Sequence, residues 1–133
     1  MTALVLDSFA LLAHFLGEAR GSHVRDILRE ANKGNIRLIL NTANLAAIAY
    51  RLERTWGEDR MTEVLALIDS YPIEIVDIDR ELALAAAHLK AQHRVSLADC
   101  FAAALAQRLN AAVLTGDPDF QRLEGLVTVE WLR

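Results

Sequence analysis

Short apolar runs, each too brief for a helix, recur along the chain: Ala3–Leu6, Ile36–Leu40, Ile73–Val76, Ala112–Thr115 and Leu126–Trp131. Such a run, bounded by polar or turn residues, reads as a strand, Ala112–Thr115 as a buried one and Leu126–Trp131 as one at the edge. Helical stretches separate almost every pair. A parallel neighbour cannot be reached by a hairpin, so strands joined by helical crossovers belong to a parallel sheet covered on both sides. The pattern predicts an α/β fold, a three-layer α/β/α sandwich with a mostly parallel sheet of about five strands, in one domain spanning 1–133.

The predicted helices follow from spacing and punctuation. Phe9, Leu11, Leu12, Phe15 and Leu16 make the first, with Ser8 as a possible cap and Gly17 as its stop. Val24, Ile27, Leu28 and Ala31 line one side of Ser22–Lys33. Asn41–Arg54 is ended by Gly57, and Met61–Ile68 stops before Tyr71-Pro72. Leu82, Ala85, Ala86 and Leu89 repeat at helical spacing behind Asp79.

The least ordinary stretch is Val95–Phe120, VSLADCFAAALAQRLNAAVLTGDPDF. Ser96 can cap a helix whose surface is apolar nearly all round, the mark of a buried helix. Asn110 ends it, a short strand follows, and Gly116-Asp117-Pro118-Asp119 stops that strand in a polar loop. Asp99 and Asp117 thus stand at the border of a buried core, where carboxylates are rare unless paired or bound.

Sites in open α/β sheets form beyond the carboxyl ends of the strands. Asp7 follows the first strand and Asp117 the fourth. Asp99 opens a helix that runs antiparallel to the fourth strand, so its start lies near Asp117. Three acids converging there repel one another unless a cation is present, and a hard divalent ion such as Mg²⁺ suits oxygen ligands. Such an ion activates water and stabilises charge on a phosphodiester. Local roles stay open for each acid: Ser96-x-x-Asp99 as a capping box, Asp117 as a turn former, Asp7 as a helix cap. Ser8, Thr115 and Asp119 are supporting candidates.

The formal net charge is −4, which disfavours a general nucleic-acid coat protein. Cys100 is the only cysteine, so no internal disulfide forms, and a reducing cytoplasm is the expected setting. No run is long and apolar enough for a membrane span, and Met1–Asp7 lacks the basic start of a signal peptide. His14, His23, His88 and His93 have no zinc-site spacing. Tyr50 and Trp56 are expected to pack rather than to stack on bases.

Leu6-Asp7-Ser8, Asn44–Tyr50 (NLAAIAY), Ser96–Cys100 (SLADC) and Thr115–Phe120 (TGDPDF) together resemble the PIN-domain ribonucleases of the VapC toxin group, in the right order and over essentially the whole chain. The resemblance implies a Mg²⁺- or Mn²⁺-dependent endoribonuclease of PIN-like fold that cuts structured RNA such as tRNA. It implies metal ligands Asp7, Asp99 and Asp117, products with 5′-phosphate and 3′-hydroxyl ends, a cognate antitoxin and a homodimer. Arg51 or Arg94 would hold the RNA backbone. One position departs: the family's Asn-Leu-Ala-Glu reads Asn-Leu-Ala-Ala here, so Ala47 stands where an acid is expected. Activity is then weakened or lost, whether Ala47 was introduced to tame a toxic nuclease or belongs to a natural relative. The alternatives are a non-catalytic antitoxin-binding relative and a structure-specific DNA nuclease. A receiver-type phosphoacceptor fits poorly, since Ser8 follows Asp7 where a second acid is needed.

Overall fold

The computed structural model describes residues 2–133. Strands β1 (Thr2–Leu6), β2 (Ile36–Asn41), β3 (Ile73–Val76), β4 (Ala112–Thr115) and β5 (Val129–Trp131) form one sheet in the order β3-β2-β1-β4-β5. Every pairing is parallel. The helices are α1 (Ser8–Phe15), α2 (Gly21–Asn32), α3 (Thr42–Trp56), α4 (Glu58–Ser70), α5 (Arg80–Gln92) and α6 (Leu97–Leu109).

Residue alternation in the central strand explains the three layers. Leu4 and Leu6 of β1 share one face with Leu38, Leu40 and Leu114, and helices α1 to α4 bury it. Val5 points the other way with Ile39 and Val113, and α5, α6 and Phe120 cover that side. With both faces covered, β1 is apolar from Ala3 to Leu6, which is why the run is legible in sequence. The alanines of α6 let it sit close to the sheet: Ala102, Ala103, Ala104 and Ala106 are all buried. Truncating a core side chain such as Leu6 to Ala is expected to cost about 2–5 kcal/mol.

Several boundaries differ from the sequence reading. The cap of α1 is Asp7, whose Oδ1 accepts from the Ala10 N–H at 2.9 Å, and Ser8 is the first helical residue. Helix α4 is longer than Met61–Ile68, because Gly57 at φ +90° turns the chain directly into it. Glu58 and Asp59 occupy its first turn, where acids favour the helix dipole but carry no apolar signal. The last strand shrinks to Val129–Trp131, since Val127 turns in to pack with the α6 residues and its N–H bonds back to the Leu123 carbonyl. A 3-10 turn, Pro118–Leu123, replaces the expected polar loop. Tyr50 and Trp56 do not pack inside; they are 52% and 39% exposed, with Arg54 and Arg60 lying over their rings.

Candidate metal and phosphodiester site

The carboxyl ends of β1 and β4 lie side by side, because Leu6 pairs in register with Leu114. Asp7 leaves the first and Thr115 ends the second. Thr115 is fully buried and its hydroxyl is bonded to Asp7 Oδ2. The Thr115 hydroxyl oxygen in turn accepts the Asp117 N–H at 3.0 Å. One hydroxyl therefore fixes both Asp7 and the turn that carries Asp117. Gly116, between them, has no room for a side chain: an added Cβ would run into the Phe9 ring and lie 2.9 Å from Arg20 Nη1.

Asp99 arrives from the opposite layer. Ser96 caps α6, its hydroxyl accepting from the Asp99 N–H at 3.1 Å. Helix α6 runs back along the sheet, so its first turn lies at the same edge as Asp117. Among the described residues no bond returns from the Asp99 carboxylate to the Ser96 N–H, so the capping box is half made. Asp99 is 4% exposed, and its Oδ2 is buried without a hydrogen-bond partner. An orphaned carboxylate oxygen is costly to bury, which marks a place prepared for something else.

Oxygens of Asp99, Asp117 and Asp119 lie within 4.8 Å of one another. Asp119 was expected only to support the site. The 3-10 turn brings it in: Pro118 starts the turn and Asp117 Oδ1 caps it by accepting from the Asp119 N–H at 2.9 Å. Asp119 also pairs with Arg122 at 2.9 Å. Asp7 stands behind this group, with both oxygens engaged by Ala10 and Thr115. Burial pushes its carboxyl up to about 7, opposed by the bonds from Thr115 and Ala10 and reinforced by Asp99 and Asp117. Burial and the neighbouring Asp117 charge push Asp99 up to about 7 as well. Keeping either ionised at neutral pH without a cation costs the fold; shifts of this size correspond to roughly a few kcal/mol.

Helix α3 closes the site from the side. Asn41 caps it, and Asn41 and Asn44 bond to each other at 2.8 Å. Asn44 Nδ2 then donates to the Ala98 carbonyl at 3.2 Å, which pins α3 to the first turn of α6. This buried crosslink escaped the sequence reading; two asparagines spaced for a cap at a strand end were its only sign. Ala47 lies one turn further along the same face and brings no carboxylate. Beyond it, Arg51 lines a cavity of about 190 Å³ with Ser8, Phe9, Leu12, Ala13, Leu16, Glu18 and Asp117. Arg94 offers the site no observed side-chain bond; its carbonyl accepts from Arg122 at 2.8 Å. The histidines lie elsewhere, His14 against the Tyr71 hydroxyl at 3.1 Å and His23 accepting from the Arg133 N–H.

The donor set fits a hard divalent cation. All the converging atoms are carboxylate oxygens, the Asp99 carboxylate also has an oxygen buried without a partner, and among the described residues no imidazole or thiolate joins them. Asp99, Asp117 and Asp119 are the residues that would hold it, with Asp7 adding charge from behind.

Comparison with known proteins agrees with this architecture. The family model described as PIN domain matches residues 4–126. The chain is similar to the VapBC2 complex of Rickettsia felis bound to a promoter DNA fragment, at TM-score 0.77 and 17% identity, over 99% of this chain and 100% of that one. It is similar to DNA-bound VapBC of Salmonella typhimurium at TM-score 0.76 and 18% identity, over 100% of both chains. It also resembles Mycobacterium tuberculosis VapC20, a sarcin-ricin loop cleaving toxin, at TM-score 0.73 and 17% identity, over 92% of this chain and 95% of that one. At such identities the likeness is one of fold. No curated protein sequence matches.

Proposed function

Since the chain belongs to the PIN domain family, we propose that it is a divalent-metal-dependent endoribonuclease toxin that hydrolyses phosphodiester bonds of structured RNA such as tRNA and is neutralised by a cognate antitoxin. The observation that carries this reading is the Asp99 carboxylate, which has one oxygen, Oδ2, buried without a partner and lies within 4.8 Å of carboxylate oxygens of Asp117 and Asp119. Support for the partner is that the Rickettsia felis and Salmonella typhimurium chains come from toxin–antitoxin complexes. Support for the substrate is that VapC20, of the same fold, is a sarcin-ricin loop cleaving toxin. The same reading includes a homodimer and a cytoplasmic setting. Among the described residues no helix is long and apolar enough to cross a membrane.

In the proposed reaction a water oxygen bonds to phosphorus, the P–O3′ bond breaks, and the departing 3′ oxygen takes up a proton. Mg²⁺ or Mn²⁺ held by the aspartates would lower the pKa of water and neutralise charge on the phosphate. The chain's part is positioning. Thr115 orients Asp7 and Asp117 through one hydroxyl, Ser96 fixes the turn that carries Asp99, and Asn44 holds α3 against it. Prearranged carboxylates spare the reorganisation that water would otherwise need.

Ala47 favours a second reading, a PIN relative that binds its antitoxin but does not cut. Matched RNA and DNA strands incubated with Mg²⁺, Mn²⁺ or EDTA separate the possibilities. Metal-dependent cleavage of RNA alone supports the nuclease; cleavage of DNA instead makes it a DNA nuclease. No cleavage of either, even by Ala47→Glu, leaves the binding relative.

A further inference from the structure

The one charged side chain that the α3 face directs toward the acids is basic. Asn44, Ala47, Ile48 and Arg51 share that face at helical spacing. Asn44 ties the face to Ala98, next to Asp99. One turn past Ala47, Arg51 lines the cavity beside Asp117 and Ser8. Of the other arginines nearby, Arg122 pairs with Asp119 and Arg20 lies over the Phe9 ring; Arg94, which meets the site only through its carbonyl, does not line this cavity. Among the described residues Arg51 has no ion pair, the pairs being those of Arg29, Lys33, Arg37, Arg60, Arg108 and Arg122.

We propose that Arg51 is the substrate-phosphate clamp of this site, and that Ala47 keeps it free for that work. The inference rests on the nuclease reading and names which side chain grips the nucleic acid. A guanidinium presents paired N–H donors that match two phosphate oxygens, and it stays charged at any working pH. A Glu at 47 would stand four residues before Arg51, the favourable order for a helical ion pair, and would draw the guanidinium away from the substrate. The two positions are therefore a coupled choice: with Ala at 47 the cavity offers a phosphate a free cation, and with Glu at 47 it does not.

The test is binding of a short fluorescent uridine oligoribonucleotide, with Ca²⁺ as the cation, across about 50 to 200 mM salt. Mn²⁺ affinity is measured on the same proteins. Arg51→Ala should weaken RNA binding about tenfold and flatten the log–log salt slope by about 0.7, one phosphate contact. Its Mn²⁺ affinity should hold or tighten, since a positive charge leaves the neighbourhood. Arg51→Lys should keep the slope while losing part of the affinity. Ala47→Glu should weaken RNA binding nearly as much as Arg51→Ala, and the double variant should lose little more. Wild-type affinity and slope in Arg51→Ala, beside a saturable wild type, overturn the clamp and leave the nuclease reading standing. Loss of Mn²⁺ affinity in Arg51→Ala also overturns it. A wild type that binds neither RNA nor matched DNA overturns both.

Discussion

Asp79 and Asp99 make an instructive pair. Each sits at the start of a helix on the same side of the sheet, and each has a helix-capping bond close by. Asp79 caps α5 and meets Arg108 of α6 through two bonds of 2.8 Å. The Arg108 guanidinium, with the Leu82 N–H, holds its carboxyl down to about 2. Asp99 is buried, faces Asp117 and meets no cation, and its carboxyl is driven up to about 7. A carboxylate that serves the fold comes with its partner built in. A carboxylate that awaits a ligand is left short of charge, and the fold bears the strain.

The largest contrast should come from neutralising the two. Asp99→Asn keeps shape and removes charge. Cleavage should fall by more than about 100-fold, because a ligand oxygen is lost. The metal-free melting temperature of that variant should rise, since a costly buried charge is gone. Asp79→Asn should do the opposite, lowering the melting temperature and leaving cleavage unchanged. If Asp99→Asn melts lower than wild type in the absence of metal, the contrast is broken.

Next in size is the pH response. Asp7 and Asp99 bind a proton more tightly folded than unfolded, since their folded values of about 7 exceed the ordinary aspartate value of 3.8. Their contribution to stability is full below about pH 4 and is lost as pH rises through about 7. Metal-free melting temperature, followed between these limits, should therefore fall with rising pH on their account. Mn²⁺ binds the ionised carboxylates, so its stabilisation should be large near pH 8 and small near pH 5. Equal Mn²⁺ stabilisation at both values would contradict the carboxylate site.

Smaller still is Thr115→Val, which keeps the shape of the β4 end but removes the shared hydroxyl. Cleavage should drop about tenfold, as orienting groups behind metal ligands usually cost. The Asp7 carboxyl should rise further, seen as a shifted titration in carbon NMR of labelled aspartate. An unmoved titration would dissociate Asp7 from Thr115.

The sequence disclosed the parallel sheet because the central parts of β1, β2 and β4 are buried on both faces and carry apolar runs, Leu4–Leu6, Leu38–Leu40 and Val113–Leu114. It placed Asp7, Asp99 and Asp117 at one edge through simple topology. Other features depend on contacts remote in sequence. The Asn44 bond to Ala98 spans two helices that no local pattern joins. Asp119 looked like turn chemistry, and it is; the same 3-10 turn also carries its carboxylate to Asp99. Arg51 and Arg94 are equal candidates for a backbone contact in sequence, and only the packing of α3 against α1 gives Arg51 a cavity. Helix α4 hid its first turn because acids there follow the dipole rather than the apolar period.

Calorimetric titration of metal-free protein with Mn²⁺, run beside Asp117→Asn and Asp79→Asn, tests the site most directly. Saturable binding with proton release in the wild type and in Asp79→Asn, and none in Asp117→Asn, is the predicted result. Binding that survives Asp117→Asn, or that never saturates in the wild type, would contradict it.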